Sequence, residues 1–523
     1  MHYSGRLTIS SYILVVCALL IGCGGARSSS AGADARILDC TEPKVHCVGP
    51  GQEFNTSGIS HVESVFEKAI NQSKPGDTVA IKGGIYQHKT DSPTKTFLEV
   101  KVSGTAEAPI TIESFGGEQA TIVGFGFPEG TAGPSVKDEA LVQVYGDHIR
   151  VRNIELRNSS RYGLIASGSY GLYEYLSIHD NWETNVLIYG REKDIEGNTL
   201  RYIESYRSRH GTGIMIQPSA GSPKIVKNTT IENSMSYHNG YQPDGAKVPP
   251  VSPIDAVGGG NSDGISSSKV CQESAATLGK LNLCPGTLLK SNIAYHNADD
   301  GIDISFGDGG SAVIGNVSFD NGPEGNRGFK VFSDLRGGLT FIDNVAFGNI
   351  FGSGRGFETI NAVENGYMYH NTSVRNVGHG YRSTLRSGAE IILTNNVGAY
   401  NGGSDIFASA GLVETTNWKV ETQGDPKFAT PTFNTAKVEL APLEGLATID
   451  KHEDIMQQVQ VALTPVAGSP LIDKGTFVPG VHCARADDAA TPMEETAVCR
   501  HWRGSAPDIG AFEHGAPLVT FNP

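Results

Sequence analysis

Charge is scarce in this sequence, and positive charge scarcer still. Only 19% of the 523 residues are charged, and 41 Lys and Arg stand against 56 Asp and Glu, a net formal charge of −15. So little basic charge argues against nucleic acid as a partner. It also disfavours a polyanionic ligand, unless local cations or a bound metal reverse the field at one site. The apolar run from Tyr12 to Gly22 is too short to span a bilayer. No C-x-x-C pair and no Cys/His cluster supports a zinc site.

What is abundant is glycine, 65 residues, as suits a chain that turns sharply many times. With 38% hydrophobic residues the chain is a folded protein. Residues 1–22 read as an export signal ending in Leu20-Ile21-Gly22-Cys23, which resembles a bacterial lipoprotein box. Cys23 would then carry lipid, the membrane would be touched only through that anchor, and the protein would sit at the outer membrane or cell surface. The alternative is an ordinary cleaved signal and a secreted protein. Residues 24–36, rich in Gly, Ser and Ala, read with Cys23 as a flexible tether over 23–36. Besides Cys17 and Cys23, six cysteines form three close pairs, 40–47, 271–284 and 483–499, expected to be local disulfides in an exported chain.

The expected fold is all-β, a right-handed parallel β-helix over 37–425. Residues 60–71 have helical spacing and are expected to cap its open end. Residues 426–523 are expected to form an irregular tail packed on the last coils, with a short helix near 455–463. Asp77 to Tyr86, Pro109 to Glu113 and Ile122-Val123 read as early rungs.

Two repeating patterns carry the β-helix reading. A short strand closes in asparagine at Asn239, Asn297, Asn321, Asn349, Asn376 and Asn401, at intervals of 58, 24, 28, 27 and 25 residues. The long interval reads as one coil with two insertions. A second pattern follows each first: D-G-I-S at 263–266, D-G-I-D at 300–303, R-G-F-K at 327–330, R-G-F-E at 355–358 and H-G-Y-R at 379–382. Side chains alternate faces along a strand. The column Ile265, Ile302, Phe329, Phe357, Tyr381 therefore belongs inside, and Ser266, Asp303, Lys330, Glu358, Arg382 forms a ladder outside, with rungs about 4.8 Å apart.

Four carboxylates converge beside this ladder: Asp299, Asp300 and Asp303 in A-D-D-G-I-D, and Asp263 at the matching place one coil earlier. Like charges so close are costly, and a hard dication such as Ca²⁺ would relieve them. Asp-Gly runs are also ordinary turn formers, so a set of turns is the competing reading. Lys330 lies one rung away. A bound cation would lower its pKa and make it a usable general base; elsewhere an outward lysine is a solvated charge.

The runs N-S-D-G-I at 261–265, H-N-A-D-D-G-I-D at 296–303, G-N-R-G-F-K at 325–330, G-F-E-T-I-N at 356–361, Y-H-N-T-S-V-R-N at 369–376 and G-H-G-Y at 378–381 resemble polysaccharide lyase family 9. That resemblance covers roughly residues 160–400. It implies a calcium-dependent pectate lyase-like enzyme on a right-handed β-helix, with Asp263, Asp299, Asp300 and Asp303 as calcium ligands and Lys330 as the catalytic base. The implied reaction is β-elimination on a uronate polymer: calcium binds the sugar carboxylate, and Lys330 takes the C5 proton. Two departures stand out. Val331 and Phe332 follow the lysine where the family has glycines, and Arg327 enlarges the lysine motif. Arg327, Arg355, Glu358 and Arg382, on or beside the ladder, are candidate substrate contacts. The partner would be an acidic polysaccharide, with polygalacturonate first, and a single chain acting alone is expected. Three rivals remain: a polygalacturonase-type hydrolase using Asp263, Asp299-Asp300 and His379, a non-catalytic glycan-binding β-helix, and a lyase for another uronate polymer. The hydrolase is weakened because His379 falls three coils from Asp300, on the order of 14 Å.

Overall fold

In the computed structural model the described residues are 38–49, 62–88, 96–126, 139–218, 224–240, 262–268, 286–305, 311–322, 325–332, 338–362, 365–385, 388–407, 409–430, 448–485 and 500–520. The leader, Cys17, Cys23 and the tether lie outside them. Within them the chain winds into a solenoid of three long sheets of 13, 10 and 12 strands. Each strand pairs in parallel with its counterparts in the coils before and after it. One turn shows the order: Leu288–Lys290 in the thirteen-stranded base sheet, Ile293–Tyr295 in the twelve-stranded flank sheet, and Ile302–Ser305 in the ten-stranded site sheet. The next coil begins at Ala312–Ile314. The early rungs read from sequence are the strands Thr78–Ile81, Gly84–Gln87, Ile110–Ser114 and Ala120–Val123.

The corners explain the asparagine pattern. Between base and flank sheets one residue takes a left-handed backbone, as at Ser291, Asp343, His370 and Thr416, and an asparagine follows. Between flank and site sheets His238, His296, Asp320, Arg375 and Tyr400 do the same; in one coil the place falls to Gly348. Each following asparagine turns its amide along the solenoid axis. Asn239 Nδ2 donates to Asn297 Oδ1 at 2.8 Å, Asn297 to Asn321 at 3.0 Å, and Asn349 to Asn376 at 2.8 Å. A second ladder, Asn292, Asn316, Asn344, Asn371, Asn396, Asn417, runs up the other corner. Only the closing asparagine of N-I-A-Y-H-N stood out in sequence; the opening one does the same work.

These amides saturate backbone groups that the bends would leave unpaired inside the coil. Asn344 Oδ1 accepts from Asn316 N–H and Nδ2, while Asn344 Nδ2 donates to Val313 O at 2.7 Å. Asn344→Ala strands at least two buried polar groups. We expect it to lower the urea midpoint by the equivalent of about 2–4 kcal/mol. An unchanged midpoint would remove the ladder from the supports of the fold.

The 58-residue interval is one coil, because Met235 pairs directly with Ile293. The N-terminal helix is Val62–Gln72; Phe66, Ala69 and Ile70 are fully buried in the first coils, with the Phe66 ring 5.1 Å from Tyr86 and 5.4 Å from Phe97. Cys40 and Cys47 form a disulfide. The pairs 271–284 and 483–499 fall outside the described residues.

The tail reaches the last coils, with the Gly510 N–H donating to Asn395 O and the Ala511 N–H to Thr372 Oγ1, and goes further. Its helix, Thr448–Leu463, lies back along the flank sheet, with Lys451 paired to Glu204 and His452 Nε2 2.6 Å from Ser291 O. The reason is a ribbon of rings on the outer flank: Tyr206, Tyr237, Tyr295, Phe319 and Phe347 stack at 4.7–5.1 Å. Ile455, Met456 and Val459 pack in the same buried cluster as Tyr295, Phe319 and Phe347. Covering that surface with helix removes its apolar area from water. Leu471, Ile509 and Ala511, from S-P-L-I-D and P-D-I-G-A-F-E, join the same cluster.

Candidate active site

The strands of the site sheet hold the chemistry in register. Ser266 pairs with Asp303, Asp303 with Lys330, Lys330 with Glu358, and Glu358 with Arg382. The inward column is equally regular, with Phe329, Phe357 and Tyr381 rings stacked at 4.7 and 4.9 Å. The glycines between them are required by space. A Cβ on Gly301 would lie 1.9 Å from Ser318 Oγ and 2.8 Å from both Asn321 Nδ2 and Gly328 O.

Asp263, Asp300 and Asp303 come together. Each is buried and offers an oxygen, all within 4.8 Å of one another, the one such group among the described residues. Lys330 Nζ lies 2.9 Å from Asp303 Oδ2 and 3.0 Å from Asp300 Oδ2. Asp300 Oδ1 accepts the Arg327 N–H at 3.0 Å, and Ser305 Oγ donates to Asp303 Oδ1. Asp263 Oδ1 accepts the Asp300 N–H at 3.2 Å, but its Oδ2 is buried with no hydrogen-bond partner. Asp299 stands outside the tight group. It precedes Asp300 on the same turn, and both carboxylates face Gly325: a Cβ there would lie 1.6 Å from Asp299 Oδ1 and 2.4 Å from Asp300 Oδ1.

The electrostatics follow from burial. Desolvation, then Asp299 and Asp303, push the Asp263 carboxyl well above its ordinary range. Burial and then Asp300 push Asp299 up to about 8. Asp303 is also raised, by burial and Asp300 against the pull of Lys330. Burial disfavours the Lys330 ammonium, but Asp300, Asp303, Asp263 and Asp299 outweigh it and hold the proton on. The surrounding carboxylates thus favour the protonated form of Lys330. The donor set is all oxygen, over-charged and short of partners, which fits a hard dication such as calcium.

Arg327, Arg355 and Arg382 converge on Glu358. Arg327 Nε lies 2.5 Å and Arg355 Nη1 2.7 Å from Oε2, and Arg382 Nη1 lies 3.1 Å from Oε1. Arg327 also reaches Asp300 Oδ1 at 3.5 Å. The expected substrate contact Glu358 thus meets three guanidinium groups. His379 Nδ1 accepts the Ser404 N–H at 2.9 Å, three coils from Asp300. Gly325 and Ser305 were not singled out by sequence; the G-N-R-G-F-K run contains the glycine, but nothing in spacing says which carboxylates it admits.

A parallel β-helix carrying this cluster on one outer face is a polysaccharide lyase-like β-helix. The family described as "Pel9A-like, right handed beta helix region" matches residues 48–396, and the chain belongs to it. Pectate lyase PEL9 of Emericella nidulans is 24% identical over 180 residues, 32% of this chain and 42% of that protein, so the match spans less than half of that relative. The crystal structure of pectate lyase Pel9A superposes with a TM-score of 0.57 at 20% identity, over 90% of this chain and 96% of that one. A rhamnogalacturonan lyase aligns over 72% of this chain and 87% of that one at 16% identity, with a TM-score of 0.45.

Proposed function

We propose that this chain is an exported lyase that cleaves a uronate polymer, polygalacturonate first, by β-elimination, with Ca²⁺ held by Asp263, Asp299, Asp300 and Asp303 and with Lys330 as the base. One observation carries the reading: an ammonium 2.9 and 3.0 Å from two carboxylates of a buried three-aspartate group on an outer sheet face. Bound calcium would offset the aspartates, hold the sugar carboxylate and remove the anionic field that keeps Lys330 protonated. Neutral Lys330 Nζ then takes the C5 proton of the uronate. The C5–H electrons form the C4–C5 double bond, and the C4–O bond breaks toward the leaving sugar. Arg327, Arg355 and Arg382 keep donors free after meeting Glu358 and can take carboxylates of neighbouring uronates. The protein acts as a single chain, anchored through Cys23 at the outer membrane or cell surface.

The test is polygalacturonate with and without chelator, followed by the ultraviolet absorbance of the unsaturated product. Calcium-dependent absorbance is expected. New reducing ends without absorbance would favour a hydrolase, and binding without either would favour an adhesin. Gly325→Ala should weaken calcium binding by on the order of tenfold or more, read by titration calorimetry, because the methyl group displaces both Asp299 and Asp300. Undiminished affinity would take those two carboxylates out of the site.

A further inference from the structure

The outward column does not end at Arg382. An isolated parallel bridge pairs Tyr381 with Ile406, and Phe407 N–H donates to Tyr381 O at 2.9 Å. Ile406 turns inward and is buried, so Phe407 stands one coil beyond Arg382 in the row Asp303, Lys330, Glu358, Arg382. Phe407 is 38% exposed. Its ring lies 4.6 Å from the His379 imidazole, tilted by 47°. The Ser404 N–H fixes that imidazole through Nδ1, and burial, with Arg355 and Arg382 nearby, lowers its pKa.

Beside this pair lies an excess of positive charge. Three guanidinium groups share one buried carboxylate, Glu358. Arg355 Nε is buried without a hydrogen-bond partner, and the Arg382 side chain is 31% exposed. A guanidinium takes a carboxylate best through parallel donors, and the partly exposed Arg382 meets Glu358 through Nη1 and keeps others for a ligand, with the Arg355 charge behind it. An exposed ring in line with the candidate base adds nothing to the core; a flat apolar surface next to cations suits a ligand with one apolar face and one acid. A uronate sugar is such a ligand, its ring carbons carrying C–H bonds on one face.

We propose that Phe407, backed by His379, is a sugar-stacking subsite at the far end of the site sheet, where a uronate packs its C–H face on the ring and gives its carboxylate to Arg382. Phe407 lies three rungs from Lys330, on the order of 14 Å along the coil axis. The subsite therefore serves a distant unit of the polymer and not the one being cleaved. Glu358 becomes a positioning residue: its carboxylate would repel a uronate, but it holds the guanidinium groups in one plane of action. The inference rests on the uronate-polymer reading above.

Chain-length dependence tests it. Trigalacturonate and hexagalacturonate are titrated in calcium into Lys330→Ala protein, which prevents turnover, with and without Phe407→Ala. We expect Phe407→Ala to weaken the hexamer about fivefold and leave the trimer unchanged, and Phe407→Trp to restore the hexamer. Equal hexamer affinity with and without the ring, or equal loss for both oligomers, would overturn the subsite. Phe407→Leu, which keeps apolar bulk without a flat face, should behave as alanine does and guards against a folding artefact; full hexamer affinity in the leucine variant also overturns the proposal. The lyase reading is scored separately, by absorbance with the Lys330 protein. Elimination without a length effect defeats the subsite alone, a length effect without elimination defeats the lyase alone, and no binding of either oligomer defeats both.

Discussion

Lys330→Ala should lower kcat on polygalacturonate by on the order of a thousandfold or more, with KM little changed, because a positioned general base contributes about 10²–10⁴-fold. The lysine is well placed to be missed by nothing else. Its ammonium is bracketed by Asp300 and Asp303, and among the described residues no other lysine stands in the row Ser266, Asp303, Lys330, Glu358, Arg382. Lys330→Arg separates base from charge. Arginine keeps the cation between the carboxylates but does not give up its proton at working pH. We expect it to be as inactive as alanine while binding calcium. Folding is checked by far-ultraviolet circular dichroism. Elimination at near wild-type rate in either variant would rule out Lys330 as the base.

Chelation should abolish turnover and uncover a pH-dependent loss of stability. Burial and then Asp300 push Asp299 up to about 8 from its ordinary 3.8 when no cation offsets them. A carboxyl whose folded pKa is raised favours the folded state when protonated. Its contribution is full below about pH 4 and is lost as pH rises through about 8, and Asp263 and Asp303 shift in the same direction. The ion-free melting temperature should therefore fall between pH 5 and pH 8.5. Calcium at a hundredfold over its Kd should add about 2.7 kcal/mol, and more of the melting temperature should return at the higher pH. Binding at pH 7 should also release protons, detectable by calorimetry in buffers of different ionisation enthalpy. A melting temperature that climbs with pH in chelator would contradict the clustered carboxylates.

Much of this site was legible because a parallel coil turns sequence period into distance. The D-G-I and R-G-F runs align Asp263 with Asp300 and Asp303 with Lys330 with no knowledge of the intervening loops, and the strands pair Ser266, Asp303 and Lys330 in that register. What was not legible depends on direction and on faces. Asp299 and Asp300 are neighbours in sequence, yet only Asp300 enters the tight group. Tyr295, Phe319 and Phe347 pack on the outer flank under the tail helix, and nothing in their spacing marks that route. Phe407 was hidden because the last partial coil drops the glycine of the motif, and only the bridge from Tyr381 reveals its place.

The ribbon of rings on the flank has a bearing on how the molecule comes to be. The coils that carry it, from Tyr206 to Phe347, leave the ribosome long before the helix that shelters it, Thr448–Leu463. Through that interval a half-made solenoid shows its neighbours an unguarded aromatic spine. A chain cut short before residue 448 would keep that spine for good, and such fragments should clump side by side although every rung of the coil is present.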